Sequence, residues 1–271
     1  DLEVGLKFAQ QLAIEHSKPF VPVNHMEGHL LSSLLLNSKG KSPYNSQFNN
    51  SNLEELFPAL GMLISGKHTE ILYVDKIGSY TKIGKTLDDA AGEAFDKVGR
   101  MLGFGYPGGP ILSEFAESGK PNDAISLPIP MEHSKDYNFS YSGLKTACLL
   151  TIKELRDNHT KDTEWVYDFC FEFLETIKKT IFVKLGKALN DHPEIKSVFA
   201  GGGVYGSERL SRKLGNFIRS YDIHFLLPEK KYRGDNAAMI GLAGYFAYER
   251  GEYLTAQSDI EAIDRVPRLS L

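Results

Sequence analysis

The chain has 271 residues, 42% hydrophobic and 24% charged, with 31 Lys and Arg against 35 Asp and Glu and a formal net charge of −4. That length holds one large α/β unit or two small domains, and the charge excludes the overall basic character of a free-standing nucleic-acid binder, so any RNA contact must be argued from a site. Two cysteines, Cys148 and Cys170, exclude a disulfide scaffold and a cysteine-rich zinc module and fit a reducing compartment, while the longest apolar run, 239–248, is far short of the roughly 20 residues that span a bilayer.

In chain order, residues 1–16 carry apolar side chains at helical spacing, and Pro19 ends that helix. The apolar run 20–23 reads as a strand. Asn24 with Glu27 three residues later has the form of a capping box and opens a helix over 25–36. The Ser, Asn, Lys and Gly-rich stretch 37–52 reads as a loop and as a boundary between lobes. Runs 60–64 and 71–74 flank the polar, glycine-containing turn 65–69 and predict a hairpin. Thr86 is the expected cap of a helix reaching residue 102, and 104–110, rich in Gly and Pro, is expected as a shaped loop. A helix follows 139–145, and 164–190 is a long amphipathic helix with Trp165, Phe169, Phe173, Ile177 and Ile181 as core. Strands at 197–200 and 224–227, helices at 207–218 and 237–248, and the turn Gly201-Gly202-Gly203 complete an alternating pattern that argues for an α/β fold. Asp1 stands where a Met start is usual and no signal-peptide pattern follows, so the natural start is expected to be missing.

His25 and His29 lie four apart. Successive helical residues turn about 100°, so both imidazoles share one face and can bind a single transition metal, or share it by coincidence. Glu27 falls about 200° round, on the opposite face. The zinc-protease pattern places its glutamate next to the first histidine, so the spacing argues against a protease and leaves Glu27 to the capping box. The two glycine turns follow apolar strands and can hold phosphate or admit a nucleotide, although plain tight turns look the same and neither has a Walker pattern. Asp88 and Asp89 suit an acidic first helical turn; Asp96 lies deeper and can accept hydrogen bonds from ribose hydroxyls. Asp235 either caps the helix at 237 or completes a site with the two histidines. Cys148 and Cys170 read as core.

Seven ordered motifs carry a family resemblance: Asn-His-Met-Glu-Gly-His (24–29), Leu-Ile-Ser-Gly-Lys-His-Thr-Glu (63–70), Thr-Leu-Asp-Asp-Ala-Ala-Gly-Glu-Ala-Phe-Asp-Lys-Val (86–98), Tyr-Pro-Gly-Gly-Pro (106–110), Phe-Ser-Tyr-Ser-Gly-Leu-Lys-Thr-Ala (139–147), Ala-Gly-Gly-Gly-Val (200–204) and Gly-Asp-Asn-Ala-Ala-Met-Ile (234–240). Over nearly its whole length the chain resembles the TsaD family of tRNA threonylcarbamoyladenosine synthases, once described as O-sialoglycoprotein endopeptidases. The resemblance implies an actin-like ATPase (ASKHA) fold, two lobes around a nucleotide cleft with the first lobe incomplete. Residues 1–56 would be the remnant of that first lobe with the metal helix, 57–235 the second lobe with the nucleotide turns, and 236–271 a segment returning to the first.

The implied reaction moves threonylcarbamoyl from threonylcarbamoyl-AMP to the adenosine beside the anticodon in tRNAs reading codons that start with A. His25, His29 and Asp235 match the family's catalytic metal ligands for one divalent ion, iron or zinc. Leu63, Ile64, Ser65, Gly66, Lys67, Asp96 and Gly109 match its substrate positions. Lys67 stands where the family usually has glycine, and Ser207, also expected to bind substrate, where it usually has asparagine. The family's N-terminal segment has no counterpart here, so the natural protein is expected to be longer, or this chain inactive alone. The implied partners are tRNA and accessory subunits, a paralogous actin-like protein and a small ATPase in a bacterial system, with no membrane. The implied compartment is the cytoplasm, or a mitochondrion or other organelle if a targeting segment has been removed. The rivals are a metal-dependent peptidase, a phosphotransferase of the same fold and an inactive scaffold.

Overall fold

A computed structural model of the chain describes residues 2–35, 50–159, 162–266 and 271. Most of the loop expected over 37–52, and the last residue of the helix expected over 25–36, lie outside them. The strands are β1 (Ala59–Ile64), β2 (Thr69–Lys76), β3 (Ser79–Lys85), β4 (Ser197–Gly201) and β5 (His224–Leu226). They form one sheet in the order β3-β2-β1-β4-β5. β2 pairs antiparallel with β1 and β3, whereas β4 runs parallel to β1 and β5 parallel to β4. The α-helices among the described residues are α1 (Leu2–Glu15), α2 (His25–Leu31), α3 (Ala91–Leu102), α4 (Gly108–Ser118), α5 (Ser142–Asn158), α6 (Trp165–Asp191), α7 (Glu208–Arg219), α8 (Ala237–Glu249) and α9 (Gln257–Ala262).

The mixed α/β character follows from the strand sequences. Along β1, Leu60, Met62 and Ile64 face one core and Ala59 and Leu63 the other; β4 alternates likewise, with Val198 and Ala200 opposite Phe199. Helices cover both faces, which is why β1 and β4 are buried throughout and apolar except at Ser197, whose hydroxyl donates to the Leu56 carbonyl at 2.6 Å. The larger core lies under α3, α4, α5, α6 and α7, and Cys148 and Cys170 sit in it, their thiols pushed up to about 12 by burial. The smaller core lies under α2 and α8. Gly61 admits α2 to the sheet, because a Cβ there would come 2.5 Å from the Leu30 side chain. Among the described residues no helix is long and apolar enough to cross a membrane.

Several elements differ from expectation for identifiable reasons. The run 20–23 is not a strand: Pro19 and Pro22 withhold ladder donors, and pairing is a single bridge from Phe20 to Leu254. The helix expected from residue 25 ends as α2 at Leu31 and continues as a 3-10 turn, Ser32–Leu34, where Ser32 and Ser33 hydroxyls bond back to His29 and Leu30 carbonyls. A further 3-10 segment, Asn50–Leu56, occupies the end of the expected loop. β3 is additional; half-exposed and irregular in register, it lacks a clear alternation. Thr86 does not cap α3, which starts at Ala91 with Thr69 Oγ1 accepting from the Ala91 amide. α4 starts at Gly108, inside the stretch expected as loop.

Candidate functional site

α2 opens at Asn24, whose side-chain oxygen accepts from the Met26 amide at 2.9 Å. The helix then sets the His25 and His29 rings edge to face, 4.7 Å between centroids. α2 packs on α8 through Gly28, where a Cβ would stand 3.2 Å from Ile240 and 3.4 Å from Met239. Asp235 precedes α8 and is not its cap. Asn236 takes that role, accepting from the Met239 amide at 3.0 Å and donating to the Tyr232 and Gly234 carbonyls at 3.2 and 2.8 Å. The Asp235 carboxylate is thereby left to the histidines: Oδ1 lies 3.4 Å from His25 Nε2 and 3.0 Å from His29 Nε2.

These three ligand atoms lie within 4.8 Å of one another. Ligands about 2.1 Å from one ion stand about 3.0 Å apart at a right angle and about 3.4 Å apart at the tetrahedral angle. The two carboxylate–imidazole separations, 3.4 and 3.0 Å, fall in the range that two ligands of a single divalent ion would show. His25 and Asp235 are solvent-accessible while His29 is buried, an arrangement open on one side. Burial, then the charge of His25, lowers His29 below the ordinary histidine value despite Asp235, favouring the neutral imidazole that metals bind.

Glu27 does not complete a capping box. Its carboxylate is buried and accepts from Tyr80 Oη at 2.7 Å and from the Arg250 guanidinium at 3.2 Å. Burial, with Glu27 alongside, pushes the Tyr80 phenol well above its usual range, so it stays a donor.

The two glycine turns meet beside this cluster. In the first, the Ser65 amide donates to the His68 carbonyl at 2.8 Å, and Ser65 Oγ accepts from the His68 amide at 3.2 Å. A Cβ at Gly92 would stand 2.5 Å from the Ser65 carbonyl oxygen, one at Gly202 would run into the Ile64 carbonyl, and one at Gly201 into the His29 carbonyl. These glycines let α3, β4 and α2 approach the end of β1. A cleft of about 780 Å³ opens there, lined by Gly66, Asp96, Gly109, Gly203, Ser207 and Gly234 among others. Gly234, in the cleft wall, is followed in the chain by Asp235, which places the histidine cluster next to one end of the cleft lining.

Four of the expected substrate residues line this cleft: Gly66, Asp96, Gly109 and Ser207. Asp96 Oδ1 accepts from the Gly108 and Gly109 amides at 3.0 and 3.1 Å, tying α3 to the start of α4. Ser207 caps α7, accepting from the Leu210 amide at 3.4 Å. Leu63 and Ile64 are buried strand residues with side chains in opposite cores, leaving only their backbone to a ligand. Ser65 is engaged in its own turn, and Lys67 is exposed and outside the cleft lining. Asp88 and Asp89 are not a first helical turn. Asp88 accepts from the Tyr141 and Ser142 amides and their serine neighbours; Asp89 meets Lys97 and Lys145, each at 2.7 Å.

Several cleft residues carried no sequence signal. Arg209, Arg212 and Lys230 supply cations to the wall. Arg233 is buried, donating to the Tyr205 and Pro228 carbonyls and pairing with Glu208 at 2.9 Å. Arg209 and Arg212 lie on α7, and Lys230 and Arg233 lie before α8; charges on a helix face or in a connection look the same in sequence whether or not they border a cleft.

The sequence model of the TsaD family, described as tRNA N6-adenosine threonylcarbamoyltransferase, matches residues 2–242. Proteins of that name are similar to the chain along most of its length. The one from Thermosipho africanus is 37% identical over 263 residues, 97% of this chain and 72% of the relative. That from Ralstonia pickettii is 39% identical over 247 residues, 90% of this chain and 65% of the relative. That from Thermosipho melanesiensis is 38% identical over 270 residues, all of this chain and 74% of the relative. The chain thus spans roughly two thirds to three quarters of the length of these relatives. With its motifs gathered around one cleft and one histidine cluster, the chain belongs to the TsaD family of tRNA N6-adenosine threonylcarbamoyltransferases.

Proposed function

We propose that the chain transfers a threonylcarbamoyl group from threonylcarbamoyl-AMP to the exocyclic amine of the adenosine beside the anticodon, in tRNAs reading codons that start with A. The amine nitrogen forms a bond to the carbamoyl carbon, the bond from that carbon to the adenylate phosphate oxygen breaks, AMP leaves with the electron pair, and one amine proton is released. The observation that carries this reading is that the cleft wall at Gly234 passes in the next residue to Asp235, which stands against His25 and His29. The adenylate would lie along the cleft, with Gly66 and Gly109 admitting it closely and Asp96 oriented by the two amides it accepts from.

His25, His29 and Asp235 would hold one divalent ion, iron or zinc, which when bound polarises the carbonyl or carboxylate of the threonylcarbamoyl group. Around it, His29 is buried, which holds it below the ordinary histidine value, and Asn236 fixes the loop that presents Asp235. An actin-like two-lobed arrangement, with 1–56 and 236–271 in one lobe and 57–235 in the other, belongs to the same reading; α2 and α8 pack on each other and together over one face of the sheet. So do the accessory subunits, a paralogous actin-like protein and a small ATPase, and a cytoplasmic or organellar location. The peptidase alternative is not favoured, because Glu27 is already paired with Tyr80 and Arg250.

The test is a transfer assay. Protein, threonylcarbamoyl-AMP and unmodified tRNA are incubated with and without accessory subunits, nucleoside digests are read by mass spectrometry, and metal is measured in the same sample. Modified adenosine that disappears together with bound metal in His25→Ala, His29→Ala protein is the expected result. Wild-type product with undiminished yield in that variant would overturn the metal-assisted reading.

A further inference from the structure

Glu27 lies two residues from each histidine, on the other side of α2. It joins three elements. Its Oε1 accepts from Tyr80 on β3 and from Arg250 at the end of α8. Arg250 is itself fixed, donating from Nε and Nη2 to the two Glu252 carboxylate oxygens at 2.7 Å each. It also lies against the β2–β3 turn, where a Cβ at Gly78 would stand 2.7 Å from its side chain.

α2 has only seven residues, too few to hold a position by helix formation alone. Its placement is set by what grips it. One side packs on α8 through Gly28 and faces Asp235 just before α8 begins; the other is tied to Arg250 just after α8 ends. A buried carboxylate is costly unless fully paired, so Glu27 has a strong preference for this one placement.

We propose that Glu27, Tyr80 and Arg250 are positioning residues that clamp the histidine-bearing helix and so set how tightly, and in what geometry, His25 and His29 hold a divalent cation. This rests on the metal reading above. The clamp acts through the backbone of α2 and touches neither substrate nor metal.

Cobalt(II) is the probe, because its visible absorption reports both occupancy and coordination geometry. Affinity is measured by chelator competition on the wild type and on Tyr80→Phe, Glu27→Gln, Arg250→Lys, Arg250→Ala and His29→Ala, with thermal unfolding of each metal-free protein. We expect Tyr80→Phe, which removes one hydroxyl, to bind cobalt about tenfold more weakly with a shifted band, as for other groups that orient metal ligands. Arg250→Ala should do the same or more, and Arg250→Lys should recover part of the loss. If Glu27→Gln does not fold, Tyr80→Phe and the Arg250 pair still decide the matter. Wild-type affinity and an unchanged band in both Tyr80→Phe and Arg250→Ala would overturn the clamp while leaving the metal site standing. No cobalt bound by the wild type, or undiminished binding by His29→Ala, would overturn the metal reading and the clamp with it.

Discussion

At the scale of single residues, the site depends on where side chains are missing as much as on where they point. A Cβ at Gly201 would run into the backbone carbonyl of His29, which no rotamer change can relieve. Gly201→Ala must therefore push the end of β4 away from α2. Overpacking of this kind costs about 1–3 kcal/mol. The displaced carbonyl belongs to His29, one of the proposed metal ligands, so Gly201→Ala should lower both the urea midpoint and the metal content of the purified protein. An unchanged midpoint would show that β4 and α2 separate without strain. The histidine pair and Asp235 were legible in the sequence, the first from spacing and the second as one of two open roles. The choice between those roles was made by Asn236, an equally good cap one residue later. The fate of Glu27 was not legible, because its partners stand 53 and 223 residues away and local spacing cannot see them.

At the scale of elements, legibility followed burial. α6 came through at nearly its full span, since its apolar stripe faces one continuous core, and the β1–β2 hairpin came through because both strands are apolar around a polar turn. α3 was misplaced at its start because its cap comes from Thr69, on the preceding hairpin. The acidic pair ahead of it serves distant elements. Asp88 reaches the start of α5 and accepts from the Tyr141 and Ser142 amides. Burial raises its carboxyl, but the Ser140 and Ser142 hydroxyls and those amides outweigh burial and hold it below the ordinary value of 3.8. A carboxyl depressed in the folded state contributes its stability above the unfolded value and loses it as pH falls through the folded one. Asp88→Ala should therefore destabilise the protein at pH 7 by about 1 kcal/mol, modest because Asp88 is exposed and screened. The gap between variant and wild type should begin to narrow as pH falls to 3.8 and go on narrowing below it, toward the lower folded-state value. Urea unfolding of both proteins from pH 7 to pH 3 checks this; a gap constant with pH would mean that the ionised carboxylate is not the capping group.

At the scale of the whole molecule, the sheet explains why two separate motifs end at one place. β1 and β4 run parallel and adjacent, so the turns that follow them, 65–68 and 201–203, emerge at the same edge. That edge is where α2 presents His29 to Asp235 and where Gly234 enters the cleft wall. Asn236 donates to the Tyr232 and Gly234 carbonyls and so ties residues 232–236 to the start of α8. A ligand held at the cleft wall would therefore bear on Asp235, and an ion held by Asp235, as proposed above, would bear on the wall. Two sites sharing one ordered segment are coupled, because the second ligand meets a segment already fixed by the first. AMP, the leaving group of the proposed reaction, should bind metal-loaded protein at least about fivefold more tightly than metal-free protein, the lower end of ordinary coupling. Linkage requires the same factor in the other direction, with the metal bound more tightly by the same ratio when AMP saturates the cleft. Calorimetric titration of AMP with and without metal, and of metal with and without AMP, measures both arms of the cycle. Equal constants in the two states would mean that Gly234 and Asp235 move independently despite the hydrogen bonds joining their loop to α8.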